Sequence, residues 1–192
     1  MEIYQACEAE LHRIEWVERL RNGQVAVFPT DTIYGFTADA TNQQAVERIL
    51  TLKERRTPLS CIPHDLNWAR SLVAESSRLL FDQHIRSYFG RYTTLWPTQD
   101  GERTLHPLVQ TKDLVGLRFP DHWIRGFAAE AAFPLVTTSV NRTGKEPMRC
   151  LETLDPKLRE EIDFLVYEGP LDNPPSVIVR CDTPEFEQQS RR

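Results

Sequence analysis

Pro29-Thr30-Asp31-Thr32-Ile33-Tyr34-Gly35 follows directly on the apolar run Val25–Phe28. A loop at a strand end has fixed geometry but exposed amides and hydroxyls, so Thr30, Thr32 and Tyr34 offer neutral hydrogen-bonding groups to a ligand. The same hydroxyls would equally suit a turn that caps the next segment. Lys53-Glu54-Arg55-Arg56 places cations at an expected helix end. There Arg55 offers a planar fork and Lys53 a point charge, either of which suits a triphosphate or a carboxylate. Solvated cations that complement a helix C-terminus are the plainer alternative.

Thr137-Thr138-Ser139-Val140-Asn141-Arg142-Thr143-Gly144 again follows an apolar run, bringing hydroxyls, an amide and a glycine to a place where an anion can be held. Gly116-Leu117-Arg118-Phe119-Pro120-Asp121-His122 adds an arginine at a strand end, and Ser176 opens the run Val177–Val179. Ser139 lacks the G-x-S-x-G setting of a hydrolase nucleophile. His12, His64, His84, His106 and His122 show no metal-ligand spacing, so no metal site is expected from protein side chains. Neither a P-loop nor a dinucleotide fingerprint is present, so any nucleotide must bind by another route.

These residues need elements to position them. Leu11, Ile14, Val17 and Leu20 predict an amphipathic helix that stops at Gly23, with a buried strand at Val25–Phe28 after it. Ala45, Val46, Ile49 and Leu50 predict a helix ending near Lys53 to Arg56, which would leave Lys53 and Arg55 outside the core. Strands are expected at Leu59–Ile62, Tyr92–Trp96, Leu114–Leu117, Pro134–Thr138, Phe164–Tyr167 and Val177–Val179. Two helices are expected between Asp65, a cap, and Tyr88, and others at Trp123–Ala132 and Pro156–Ile162. The stretch 98–106 reads as a loop and the tail after Cys181 as frayed. Short apolar strands alternating with helices predict an α/β fold with a largely parallel or mixed sheet, as one domain over 1–192.

The net charge of −5 would repel a polyanion overall, so phosphate binding needs a local cluster of cations and general coating of nucleic acid is disfavoured. The four scattered cysteines suggest neither zinc nor a disulfide framework and fit a reducing, cytoplasmic setting. No run approaches the roughly 18 apolar residues of a membrane span, and the charged N-terminus does not read as a signal peptide.

In order along the chain, these segments resemble the YrdC/Sua5 family of threonylcarbamoyl-AMP synthases, including its YciO-like branch. The P-T-[DE]-T-x-Y-G pattern matches Pro29 to Gly35, K-x-R matches Lys53 and Arg55, and P-L-S matches Pro58-Leu59-Ser60. V-G-[VL]-R-x-P-D-H matches Val115 to His122, S-T-S-x-N-x-[ST]-G matches Thr137 to Gly144, and P-S-T-[IV]-[VI]-D matches Pro175 to Arg180. A weaker G-P-x-T-x-[IL] element matches Gly90 to Leu95, and the likeness runs over about 10–182.

The resemblance implies a YrdC/RibB-like twisted, mainly parallel or mixed sheet flanked by helices, with a concave cationic site. It implies Lys53, Arg55, Ser139 and Asn141 as the active-site four, with Lys53 and Arg55 catalytic. Thr30, Thr32 and Tyr34 would hold threonine and the adenylate, and Arg118, Thr137 and Ser176 would lie near a carboxylate or the nucleotide. The implied reaction joins L-threonine, bicarbonate and ATP, with Mg²⁺ carried on the ATP phosphates, on the route to the modified tRNA base t6A37. tRNA and proteins of that pathway are the implied partners. A divergent RNA- or nucleotide-binding protein of the YciO kind, without synthase activity, is the other implied reading. Phe89-Gly90-Arg91 stands where the family has P-G-P, and Arg180 stands in place of its aspartate. The segment from Arg55 to Pro58 is short, no R-x-G element follows the last strand, and no Sua5 C-terminal domain is expected.

Overall fold

In a computed structural model, which describes residues 1–99, 101, 104–183 and 185–189, the chain forms one ten-stranded sheet with helices on both faces. In chain order the elements begin with β1 (Glu2–Gln5), α1 (Ala9–Arg21), β2 (Ala26–Phe28), β3 (Gly35–Asp39), α2 (Gln43–Leu52) and β4 (Ser60–Ile62). Then come α3 (Leu66–Leu72), α4 (Arg78–His84), β5 (Tyr92–Pro97), β6 (Leu114–Leu117) and α5 (Trp123–Ala131). The last are β7 (Leu135–Ser139), α6 (Pro156–Glu161), β8 (Phe164–Tyr167), β9 (Val177–Arg180) and β10 (Glu187–Gln189).

The strand order is β1-β8-β2-β3-β7-β4-β6-β5-β9-β10. Four neighbouring pairs are parallel and five antiparallel, so of the two expected alternatives the sheet is the mixed one. Side chains along each strand alternate between two cores, as the two-residue period requires. Val25 and Val27 point to the α2 side, and Ala26 and Phe28 to the side covered by α1 and α5. No helix among the described residues is long and apolar enough to cross a membrane.

Helix α2 shows the local logic. Asn42 caps it by accepting from Ala45 N at 3.1 Å, and Ala45, Val46, Ile49 and Leu50 form one buried stripe. Beyond its end Glu54 takes a left-handed conformation, with φ of 51°, which turns the chain toward Arg55.

Helix α1 corrects the expected stripe. It buries Ala9, Trp16 and Leu20, whereas Leu11 and Ile14 are 82% and 79% exposed. Trp16 decides the rotation, because its ring packs against Phe28, Phe127 and Phe164 and outweighs two aliphatic side chains. The tail is also corrected: it does not fray after Cys181 but turns back so that β10 pairs antiparallel with β9, Glu187 opposite Arg180. The expected loop over 98–106 includes positions 100, 102 and 103, which lie outside the described residues.

Candidate functional site

The six strands β3, β7, β4, β6, β5 and β9 are consecutive across the sheet, and their ends, together with the end of α2, carry the residues singled out above. The register brings Gly35 opposite Ser139, Ser60 opposite both Thr137 and Gly116, and Tyr92 opposite Val177. Close approach is required at Gly35, where an added Cβ would lie 2.7 Å from Thr137 Oγ1.

A cavity of about 890 Å³ opens there. Thr32, Tyr34, Lys53, Arg55, Arg118, Thr137, Ser139, Asn141 and Ser176 all line it, so segments distant in sequence meet in one place. Thr30 does not line it. It lies beneath the loop, donates to Ile33 O at 2.7 Å and accepts from Thr32 N at 3.1 Å. Its place is that of a turn former, the alternative its hydroxyl left open.

Lys53 departs from expectation, since it is not outside the core but only 8% exposed. Its ammonium donates to Ser139 O at 2.6 Å, Asn141 Oδ1 at 3.0 Å and Asn141 O at 3.2 Å, with Ser139 Oγ at 3.3 Å. Ser139 Oγ in turn donates to Asn141 Oδ1 at 2.6 Å, while Thr143 N and Oγ1 both donate to Lys53 O. The loop that carries Ser139 and Asn141 is therefore tied to the end of α2 at both its ends. Arg55 is exposed and lines the same cavity, with no ion pair among the described residues. Arg56 turns away and forms a forked pair with Glu47.

On the opposite wall Arg118, 6% exposed, donates to Asp31 Oδ1 at 2.5 Å and Thr32 Oγ1 at 2.7 Å. Burial pushes its guanidinium below the ordinary value, and Asp31 pushes the other way. Tyr34 donates to Gly169 O at 2.7 Å and accepts from Glu168 N at 3.1 Å. Its ring stacks on Tyr167, and burial raises the phenol above its usual value. Tyr34 thereby fixes the segment leading to Ser176, whose hydroxyl lies 2.9 Å from Thr93 Oγ1.

Sequence reasoning missed Thr93, Arg149 and Lys145 as lining residues. Thr93 falls inside the weak Gly90–Leu95 element, which was a usable signal; Arg149 gave none, because it reaches the carbonyls of Leu171 and Asn173 only through the fold.

A family model named Sua5_yciO_yrdC, described as telomere recombination, matches residues 18–190. The chain is 28% identical over 189 residues to a putative threonylcarbamoyl-AMP synthase of Methanocaldococcus jannaschii, covering 95% of this chain and 87% of the relative. Among solved structures it superposes on P. abyssi Sua5 complexed with L-threonine with a TM-score of 0.81 at 21% identity, over 95% of this chain and 54% of that one. It thus spans about half the length of that Sua5. E. coli YciO gives a TM-score of 0.76 at 22% identity, over 100% of this chain and 92% of that one. With the match extending over most of the sequence and the fold shared throughout, the chain belongs to the Sua5/YciO/YrdC family.

Proposed function

We propose that this protein is a threonylcarbamoyl-AMP synthase, joining L-threonine, bicarbonate and ATP and releasing pyrophosphate. The observation that carries the proposal is that one cavity gathers Lys53, Arg55, Ser139 and Asn141 together with Thr32, Arg118 and Ser176. Its about 890 Å³ is in the upper part of the usual range for small-molecule sites, room for a nucleotide and a small amino acid together. Relatives named threonylcarbamoyl-AMP synthase, from M. jannaschii and Vibrio vulnificus, support the reading, as does the L-threonine complex of P. abyssi Sua5.

The chemistry follows from charge. The neutral amine of threonine forms an N–C bond to the carbon of bicarbonate, which loses water to give a carbamate. A carbamate oxygen then attacks the α-phosphorus of ATP as the bond to the pyrophosphate oxygen breaks. Two anions must approach, and Lys53, Arg55, Lys145 and Arg149 line the cavity with Glu146 as the carboxylate among its described lining residues, while Arg118 is paired with Asp31. This local excess of cations opposes the chain's net charge of −5 and holds the phosphates for in-line displacement. Arg55, exposed and unpaired among the described residues, is the residue set to meet the phosphates directly. Lys53 contributes by charge and by fixing Ser139 and Asn141, and Tyr34, Thr137 and Ser176 complete the binding surface.

No group of three or more metal-ligating side chains occurs among the described residues. Magnesium would reach the site on the ATP phosphates, where it would supply charge neutralisation. The product serves t6A formation at position 37 of tRNA, in the cytoplasm, with tRNA and other proteins of that modification as partners, and the chain acts as a single catalytic unit.

A YciO-like nucleotide- or RNA-binding protein is the second reading, favoured by one feature: Arg180 pairs with Asp182 where the family pattern has an acid. Pyrophosphate release from ATP separates the two. Release that requires both L-threonine and bicarbonate, and is absent with L-serine, supports the synthase. ATP binding without release supports the second reading.

A further inference from the structure

Arg118 lines the cavity and Asp31, directly behind it, does not. The Nη2 amine of Arg118 is fully engaged, donating to Asp31 Oδ1 at 2.5 Å and Thr32 Oγ1 at 2.7 Å, with Thr30 Oγ1 at 3.4 Å. Its Nε is buried without a partner, and among the described residues Nη1 has none either. A guanidinium is a rigid plane of five N–H donors, so fixing one amine fixes where the other nitrogens point.

Asp31 is itself held from two sides. Its Oδ2 accepts from Asp121 N at 3.0 Å, and its carbonyl accepts from Asn173 Nδ2 at 3.1 Å. The stretch Arg118–Asp121 thus grips the carboxylate, which does not line the cavity, while Asn173 holds the main chain of the same residue. Its charge also offsets that of Arg118, so this wall offers an oriented donor with little net charge. Arg55 and Lys145, elsewhere in the lining, make no ion pair among the described residues.

Building on the proposed synthase reaction, we propose that Asp31 is a positioning residue: it aims Nη1 of Arg118 at the carboxylate of the amino-acid substrate and keeps that wall from attracting phosphate. Selection of the amino acid at this wall then rests on the direction of a hydrogen bond. Long-range attraction of ATP is left to Arg55 and Lys145. Loss of the carboxylate has two opposite consequences. The guanidinium loses its fixed direction, which weakens amino-acid binding, and it gains an uncompensated charge, which strengthens binding of free pyrophosphate.

The test compares wild type, Asp31→Asn, Asp31→Glu, Arg118→Gln and the Asp31→Asn/Arg118→Gln double variant. KM for L-threonine and for ATP and inhibition by added pyrophosphate are measured for each. Asp31→Asn is expected to raise KM for threonine about tenfold, the scale of one charge-assisted hydrogen bond, with KM for ATP unchanged and tighter inhibition by pyrophosphate. Asp31→Glu recovers most of the loss, and Asp31→Asn adds nothing once Arg118 is glutamine. A parallel rise in both KM values, or full additivity in the double variant, overturns the proposal.

Ligand-free NMR of the arginine side chains needs neither turnover nor threonine, so it separates failure of this inference from failure of the synthase reading. The Arg118 Nη protons should be individually resolved in wild type and averaged in Asp31→Glu less than in Asp31→Asn. Fully averaged signals in wild type overturn it, whatever reaction the protein performs. Should Asp31→Asn fail to fold, the wild-type spectrum and the Asp31→Glu variant still decide.

Discussion

The Lys53 ammonium donates to Asn141 Oδ1 at 3.0 Å, across 88 residues of chain, and also reaches Ser139 O and Asn141 O. The lysine therefore ties the Ser139–Asn141 loop in place as well as lending its charge to the cavity. Lys53→Met should cost about 1–3 kcal/mol of stability, because it removes a charged donor shared by Ser139 and Asn141 and leaves Asn141 O without that partner. Turnover should fall about 100-fold or more through loss of oriented groups and charge. Urea unfolding set beside turnover checks the pair; unchanged stability would remove the tying role.

Arg55→Ala separates charge from architecture. Arg55 is exposed and makes no ion pair among the described residues, so its removal should leave stability within about 0.5 kcal/mol. Because its partner is expected to be the nucleotide, KM for ATP should rise about tenfold or more. Thermal melts and initial rates over a range of ATP concentrations check this. A large stability loss with normal kinetics would reverse the assignment.

Much of this was legible from residue order alone, and what was not has physical causes. The loop after Phe28 could be found because a short apolar run ending in proline and hydroxyls marks a strand end, whereas Thr137–Ser139, read as following a strand, are the last residues of β7. The edge strands β1 and β10 carry Glu-Ile-Tyr-Gln and Glu-Gln-Gln, and almost every residue in them is solvated, so no apolar pattern marks them. Strand β3 was hidden in a stretch that starts with glycine and is buried along its whole length, leaving no alternation to read. Burial of Lys53, the Arg118–Asp31 pair and the place of Arg149 depend on strand order, which local periodicity does not contain.

Tyr34→Phe should destabilise by about 1–3 kcal/mol, since the hydroxyl pairs with two main-chain groups, Gly169 O and Glu168 N, that would lose their partner. The ring stays packed, so the fold survives. Hydrogen exchange at the amides around 168–171 should accelerate selectively; uniform protection as in wild type would show that the hydroxyl is not what holds this segment.

Acid stability should carry the signature of Glu47, whose carboxyl is held down to about 2 by the Arg56 guanidinium and then by His106. A carboxyl with a lowered folded value stabilises above its ordinary value near 4.5, and the contribution is lost as pH falls from there toward 2. Glu47→Gln should therefore flatten the stability profile between about pH 4.5 and 2 while changing it little in slope near neutrality. Chemical unfolding across that range checks the sign; an unaltered acid slope would show that the pair contributes nothing.

The proposed reaction couples an amino-acid carbamate to the α-phosphate of ATP within one cavity. Incubation with ATP, L-threonine and ¹³C-bicarbonate, followed at once by mass spectrometry, reads that bond directly. A threonylcarbamoyl-adenylate carrying one ¹³C is expected, formed together with pyrophosphate and reduced at low ATP in Arg55→Ala. Formation of AMP or ADP without any ¹³C-labelled adenylate would contradict it.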